Sequence, residues 1–139
     1  MLIIGLAAQA PRRRQPLNSN VRRLNMLFAM VEDGMVRVLP DHASAKRAFE
    51  GIDVENRVVV FYSEDGTLLV PQFLRANKRK WFGLVAENGE YELVAAPDGA
   101  PEYDTFEVAI NEAEGVEPNP HFKSAFEIRA YVEGQKSAR

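Results

Sequence analysis

The 139-residue chain contains no cysteine, two histidines, one tryptophan and no apolar run long enough to cross a bilayer. Without cysteine there is no disulfide framework, no thiolate metal site and no cysteine nucleophile. His42 and His121 are distant in sequence, and no carboxylate stands at a metal-motif spacing from either, so no metal site is expected. Hydrolytic chemistry meets the same scarcity: no Gly-x-Ser-x-Gly elbow occurs, and Ser63 and Ser124 read as turn and cap residues. The nine glycines are scattered, which leaves no glycine-rich phosphate loop. No cofactor is expected, and the balance leans away from an enzyme.

The longest apolar stretches run from Leu2 to Ala8 and from Val58 to Tyr62, against the roughly 18 residues of a spanning helix. No membrane partner is expected. Ala8-Gln9-Ala10 has the form of a signal-peptidase site, but no basic segment precedes it and its apolar stretch is short, so the default location is cytoplasmic, with a truncated signal peptide as the alternative.

What the chain does have is ordinary globular composition: 46% hydrophobic and 27% charged residues, enough for one packed core at this length. Charge is uneven. Residues 1–80 hold thirteen Lys or Arg against eight Asp or Glu, and residues 81–139 hold four against twelve. Either the halves interleave on one surface, or a basic face awaits an acidic partner. Arginine outnumbers lysine, and alanine and valine are abundant, as in proteins of GC-rich bacterial or phage genomes.

Three Asp-Gly or Asn-Gly pairs, Asp33-Gly34, Asp65-Gly66 and Asn88-Gly89, share a pattern of apolar flanks that reads as a turn. That pair is the strongest short-range hairpin signal, because it tolerates the positive φ of two-residue loops. The middle hairpin joins Val58–Tyr62 to Thr67–Val70 and is apolar on both faces, which places it at the sheet centre or against another subunit. The third is expected to join Trp81–Val85 to Tyr91–Ala95. Around the first, Val21, Leu24, Leu27, Phe28 and Val31 recur at helical spacing and predict a helix over 20–31 closed by Gly34. The alternative is a hairpin pairing Phe28–Val31 with Val36–Leu39.

Asp41 caps an expected helix over 42–50 that stops at Gly51, and Ser124-Ala125-Phe126-Glu127 opens another that ends at Gly134, with Ile128 and Val132 on its buried stripe. Alternation of Phe106, Val108 and Ile110 predicts a strand over 104–110, followed by a loop over 112–120. On that strand Asp104 and Glu107 would fall on opposite faces and form no acid–base dyad. The fold class is α+β: an antiparallel sheet of successive hairpins with two or three short helices packed on it. Residues 1–17 form an arm or first strand, 18–134 one domain, and 135–139 a frayed tail.

One stretch combines charge with an aromatic ring. Arg75, Lys78, Arg79 and Lys80 lead into Trp81 and Phe82, and cations beside a stacking ring suit a nucleic acid or an acidic protein surface. The competing structural account makes 75–80 a solvated connection and sends Trp81 and Phe82 into the core. Arg12, Arg13, Arg14, Arg22 and Arg23 add charge nearby in sequence. The expectation is a non-enzymatic binding or regulatory module that meets a protein or nucleic-acid partner through this basic surface. Two alternatives stand beside it. One is a small-molecule site or enzyme with Tyr62, Trp81, Tyr91 and Tyr103 lining a cleft; the other is a subunit of a homo-oligomer.

Overall fold

The computed structural model describes residues 25–97 and 105–138. Arg12, Arg13, Arg14, Arg22, Arg23, Tyr103, Asp104 and the arm at 1–17 lie outside those residues. In chain order the elements are β1 (Leu27–Val31), β2 (Met35–Leu39), α1 (His42–Ala48), α2 (Gly51–Glu55), β3 (Val59–Ser63), β4 (Leu68–Arg75), β5 (Lys78–Lys80), β6 (Val85–Glu87), β7 (Glu90–Ala95), α3 (Phe106–Glu112), β8 (Gly115–Val116) and α4 (Ala125–Ser137). The protein is α+β. Among the described residues, six strands form one sheet in the order β7-β4-β3-β1-β2-β8, antiparallel except at β2–β8, while β5 and β6 pair only with each other. No helix among the described residues is long and apolar enough to cross a membrane.

The first Asp-Gly resolves the choice at 20–31 in favour of the hairpin: Phe28 pairs with Val38 and Met30 with Val36. The preferred helix is thus wrong for 27–31. Helical spacing misled there because Leu27 and Ala29 serve one core and Phe28 the other, so a strand buried on both faces is apolar at every position. Both Asp-Gly loops are three residues long rather than two. Gly34 (φ +92°) and Gly66 (φ +85°) alone take the left-handed conformation, while Asp33 and Asp65 accept the amides of Met35 (2.9 Å) and Thr67 (3.1 Å). This is a turn closed by a glycine bulge, with the aspartate fixing its own backbone two residues on.

The strand expected over 104–110 is helix α3. Thr105 caps it through Val108 N–H (3.3 Å), and Phe106 and Ile110, four residues apart, are its buried pair. Over so few residues, spacings of two and four coincide. The loop expected over 112–120 contains the short strand β8, parallel to β2. Helix α1 starts at the Asp41 cap but ends at Ala48, and Gly51 opens α2 instead of stopping α1. Helix α4 opens as expected, with Ser124 Oγ accepting Glu127 N–H (3.2 Å) and Glu127 accepting Lys123 N–H (2.8 Å). It then runs through Gly134 to Ser137, where Lys136 is tied to Glu107 of α3. Gly134 is a helix weakener of about 1 kcal/mol, which the capped first turn and the buried Ile128 and Val132 outweigh.

Strand β3 lies inside the sheet and is apolar on both faces, as expected, and this chain covers both. Val59 and Phe61 face Ala45, Phe49 and Val54 of the α1–α2 layer; Tyr62 faces Phe106, Ile110, Ile128 and Val132 of the α3–α4 layer. On the second face the Phe28 ring meets those of Phe106, Phe122 and Tyr131 at 6.3, 5.7 and 6.5 Å. Removing such a ring leaves a void that the layers cannot close, so Phe28→Ala is expected to lower stability by about 3–5 kcal/mol in urea unfolding.

Tyr91 anchors the opposite face, its hydroxyl donating to the carbonyls of Phe49 (2.8 Å) and Ala45 (3.3 Å). Burial pushes its pKa from 10 to about 12. A phenol whose pKa is raised in the folded state contributes stability in full below its unfolded pKa and loses it as pH rises through the folded value. Wild type is therefore expected to lose stability from pH 10 to about 12 in excess of a Tyr91→Phe variant, measured as the urea midpoint of each at stepped pH.

Candidate binding hairpin

The β5–β6 hairpin leaves the sheet between β4 and β7, which pair with each other from Leu69↔Ala95 to Arg75↔Glu90. With β4 already occupied on that side by β7, residues 78–87 have no place in the main sheet and pair internally: Lys78↔Glu87, Arg79↔Ala86, Lys80↔Val85. The hairpin expected between Trp81–Val85 and Tyr91–Ala95 is not formed. Asn88-Gly89 is the foot of the excursion, and the turn sits instead at Trp81–Leu84.

That turn is closed by Gly83 N–H donating to Lys80 O (3.2 Å) and Leu84 N–H to Trp81 O (3.0 Å). Trp81 (φ +56°) and Phe82 (φ +55°) both take the left-handed conformation, which costs a bulky residue about 1–3 kcal/mol. Nothing in the core repays that cost. Trp81 is 73% exposed, Leu84 86% exposed, Phe82 fully exposed and Val85 about half exposed. The structural account is right that 78–80 is solvated, though it is a strand, and wrong that Trp81 and Phe82 enter the core.

Behind this apolar tip stands a cationic stem. Strand alternation puts Lys78 and Lys80 on one face of the ribbon and Arg79 on the other. Lys80 reaches Glu87 at 3.5 Å, whereas Lys78 and Arg79 hold no ion pair among the described residues. Arg75 does not belong to this group, because its guanidinium bonds Asn88 O (3.2 Å) and Glu90 (3.3 Å) at the foot. The structure thus brings together Lys78, Arg79, Lys80 and Trp81, and assigns Arg75 to the scaffold.

The foot is pinned by two asparagines: Asn88, which the sequence reads as a hairpin turn, and Asn77, which it assigns no role. Asn88 Oδ1 accepts Ile52 N–H (3.0 Å), the first turn of α2; Asn77 Oδ1 accepts Gly89 N–H (2.7 Å), and its amide donates to Glu55 (3.0 Å). Packing demands glycine at position 89, where the near atoms are backbone, while at Gly51 the near atom ends a side chain. A Cβ at Gly51 would stand 2.5 Å from Asn77 Oδ1, and one at Gly89 only 1.9 Å from Arg75 O. The signal for this role was present in Asn88-Gly89, but a hairpin turn uses the same pair.

The described aromatic residues of the cleft alternative are not brought together, and Tyr103 lies outside the described residues. Tyr62 and Tyr91 are buried in cores on opposite faces of the sheet, and Trp81 is at the hairpin tip. Hollows of about 220 Å3 beside the foot, touched by Lys46, Gly51, Leu74 and Tyr91, and of about 300 Å3 at Ser63, Glu64, Asp65 and Gln135 lie below or at the lower end of the roughly 300–1,000 Å3 of ligand pockets. His42 opens α1, and His121 is exposed in the loop before α4. Among the described residues no group of three His, Asp or Glu could hold a metal. Comparison with family models, with curated proteins and with solved structures found no match.

Gly89→Ala cannot be absorbed by side-chain movement, since the clash is with backbone. It is expected to lower stability by about 3 kcal/mol or more, read by urea unfolding, whereas Gly83→Asn at the open tip meets no neighbour and carries only the strain of its φ of +89°, about 1 kcal/mol.

Proposed function

We propose that this chain is a non-enzymatic binding module whose β5–β6 hairpin docks tip-first onto an acidic partner protein. An apolar cleft in the partner receives Trp81, Phe82 and Leu84, and a rim of carboxylates meets Lys78, Arg79 and Lys80. The observation that carries this is the combination at the tip: large apolar side chains held out in solvent by a backbone conformation they disfavour, on a stem anchored at its foot. Strain of that kind persists at functional sites, and an anchor already fixed before binding loses less entropy on docking. Tryptophan and arginine are the residues most often found at interface hot spots.

A protein partner suits the tip better than a nucleic acid does. Aromatic rings stack on bases, but Leu84 and Val85 gain nothing from a base face, and the hairpin carries only three cations on a chain of net charge −3. Carboxylates around an apolar cleft satisfy both features.

A photoreactive phenylalanine analogue at position 82, in cells of the source organism, checks this. Crosslinking to one acidic protein is expected, with affinity for that protein falling about tenfold or more in Trp81→Ala and its salt dependence flattening when Lys78, Arg79 and Lys80 become glutamine. Labelled single-stranded and duplex DNA across a salt series form the second arm. Steep salt-dependent binding there, with no protein crosslink, would transfer the hairpin to nucleic acid; silence in both arms would end the proposal.

A further inference from the structure

The foot of the hairpin places a chemically labile pair under mechanical guard. Asn-Gly is the dipeptide in which the following backbone nitrogen, unshielded by a side chain, most readily attacks the asparagine amide, and such asparagines are thermolabile. Here each residue is tied into the foot. Position 89 must be glycine, because a Cβ would meet Arg75 O at 1.9 Å, and Asn88 Oδ1 accepts Ile52 N–H at the start of α2.

We propose that Asn88-Gly89 is a latent deamidation site, held closed by Asn77. In the reaction the Gly89 nitrogen gives up its proton to solvent base and forms a bond to Asn88 Cγ. The bond from Cγ to the side-chain nitrogen then breaks, and that nitrogen takes a proton from water and leaves as ammonia. The cyclic imide takes up one water at either carbonyl, which yields aspartate or isoaspartate at position 88. Two contacts oppose the first step. Gly89 N–H is engaged by Asn77 Oδ1 at 2.7 Å, so the nucleophile is occupied. The Asn88 side chain is itself held by Ile52 N–H at 3.0 Å, which restricts the movement that attack on its Cγ requires.

The two products differ in consequence. Aspartate keeps an oxygen for Ile52 N–H. Isoaspartate lengthens the backbone by one carbon between positions 88 and 89, which displaces Gly89 from Asn77 and Asn88 O from Arg75. The modification therefore acts on the footing that aims the hairpin, whatever the hairpin binds.

The test is ageing of the full chain at mildly alkaline pH, with tryptic peptide 81–123 followed by mass and by chromatographic separation of aspartyl and isoaspartyl forms. Folded wild type should deamidate far more slowly than wild type unfolded in urea. Asn77→Ala should accelerate the folded protein about tenfold, equivalent to about 1.4 kcal/mol of lost protection. Asn77→Ala also removes the bond to Glu55, so Glu55→Ala is the control and should leave the rate unchanged. Folded wild type ageing as fast as the unfolded chain, or Asn77→Ala ageing no faster than wild type, would overturn the proposal. Should Asn77→Ala not fold, hydrogen exchange of the Gly89 amide in wild type decides: protection supports the guard, and exchange at the unprotected rate removes it.

Discussion

Strands β1 and β3 are apolar on both faces, and most of the architecture follows from keeping both faces dry. A strand of this kind is stable only between neighbouring strands and beneath cover on each side. Its neighbours come from the two Asp-Gly hairpins, which set β2 beside β1 and β4 beside β3. Cover comes from α1 and α2 on one side and α3 and α4 on the other. The helices are short, and each contributes only a few buried side chains, but together they close two cores that share one sheet.

The same arrangement accounts for the projecting hairpin. Once β7 pairs with β4 along its length, the intervening residues become an excursion whose ends are brought together by that pairing. Asn77, Asn88 and Arg75 then convert an exposed loop into an anchored ribbon, by satisfying backbone groups that would otherwise depend on water. Rigidity at the base and exposure at the tip are two results of one set of hydrogen bonds. Under the proposed reading the tip is the docking element, and the Asn88 side chain lies in the footing that aims it.

The caps and turns were legible because each rests on two or three adjacent residues. Asp41, Ser124 with Glu127, and the two Asp-Gly pairs do what their local chemistry implies. Misreadings arose where local pattern underdetermines the outcome. Phe106 and Ile110 fit one face of a strand and of a helix equally, and the Thr105 cap favours the helix. Leu27 to Val31 looked helical because both faces are buried. At the candidate hairpin, Lys78, Arg79, Lys80 and Trp81 stand out in the sequence by composition, whereas the exposure of Leu84 and the bonds of Arg75 to Asn88 and Glu90 do not, since exposure and ion pairing depend on distant residues.

By itself the sequence determined the class of the fold, the ends of several elements, the core stripe of α4 and the absence of thiol chemistry, all consequences of short-range stereochemistry and residue inventory. Tertiary structure alone decided that Asn88-Gly89 is a foot and Trp81–Leu84 a tip. An Asn-Gly pair permits a reversal of the chain without compelling one, and an aromatic segment is buried only if some surface is free to receive it. Here β7 had taken the edge of β4, so Trp81 and Phe82 remained outside.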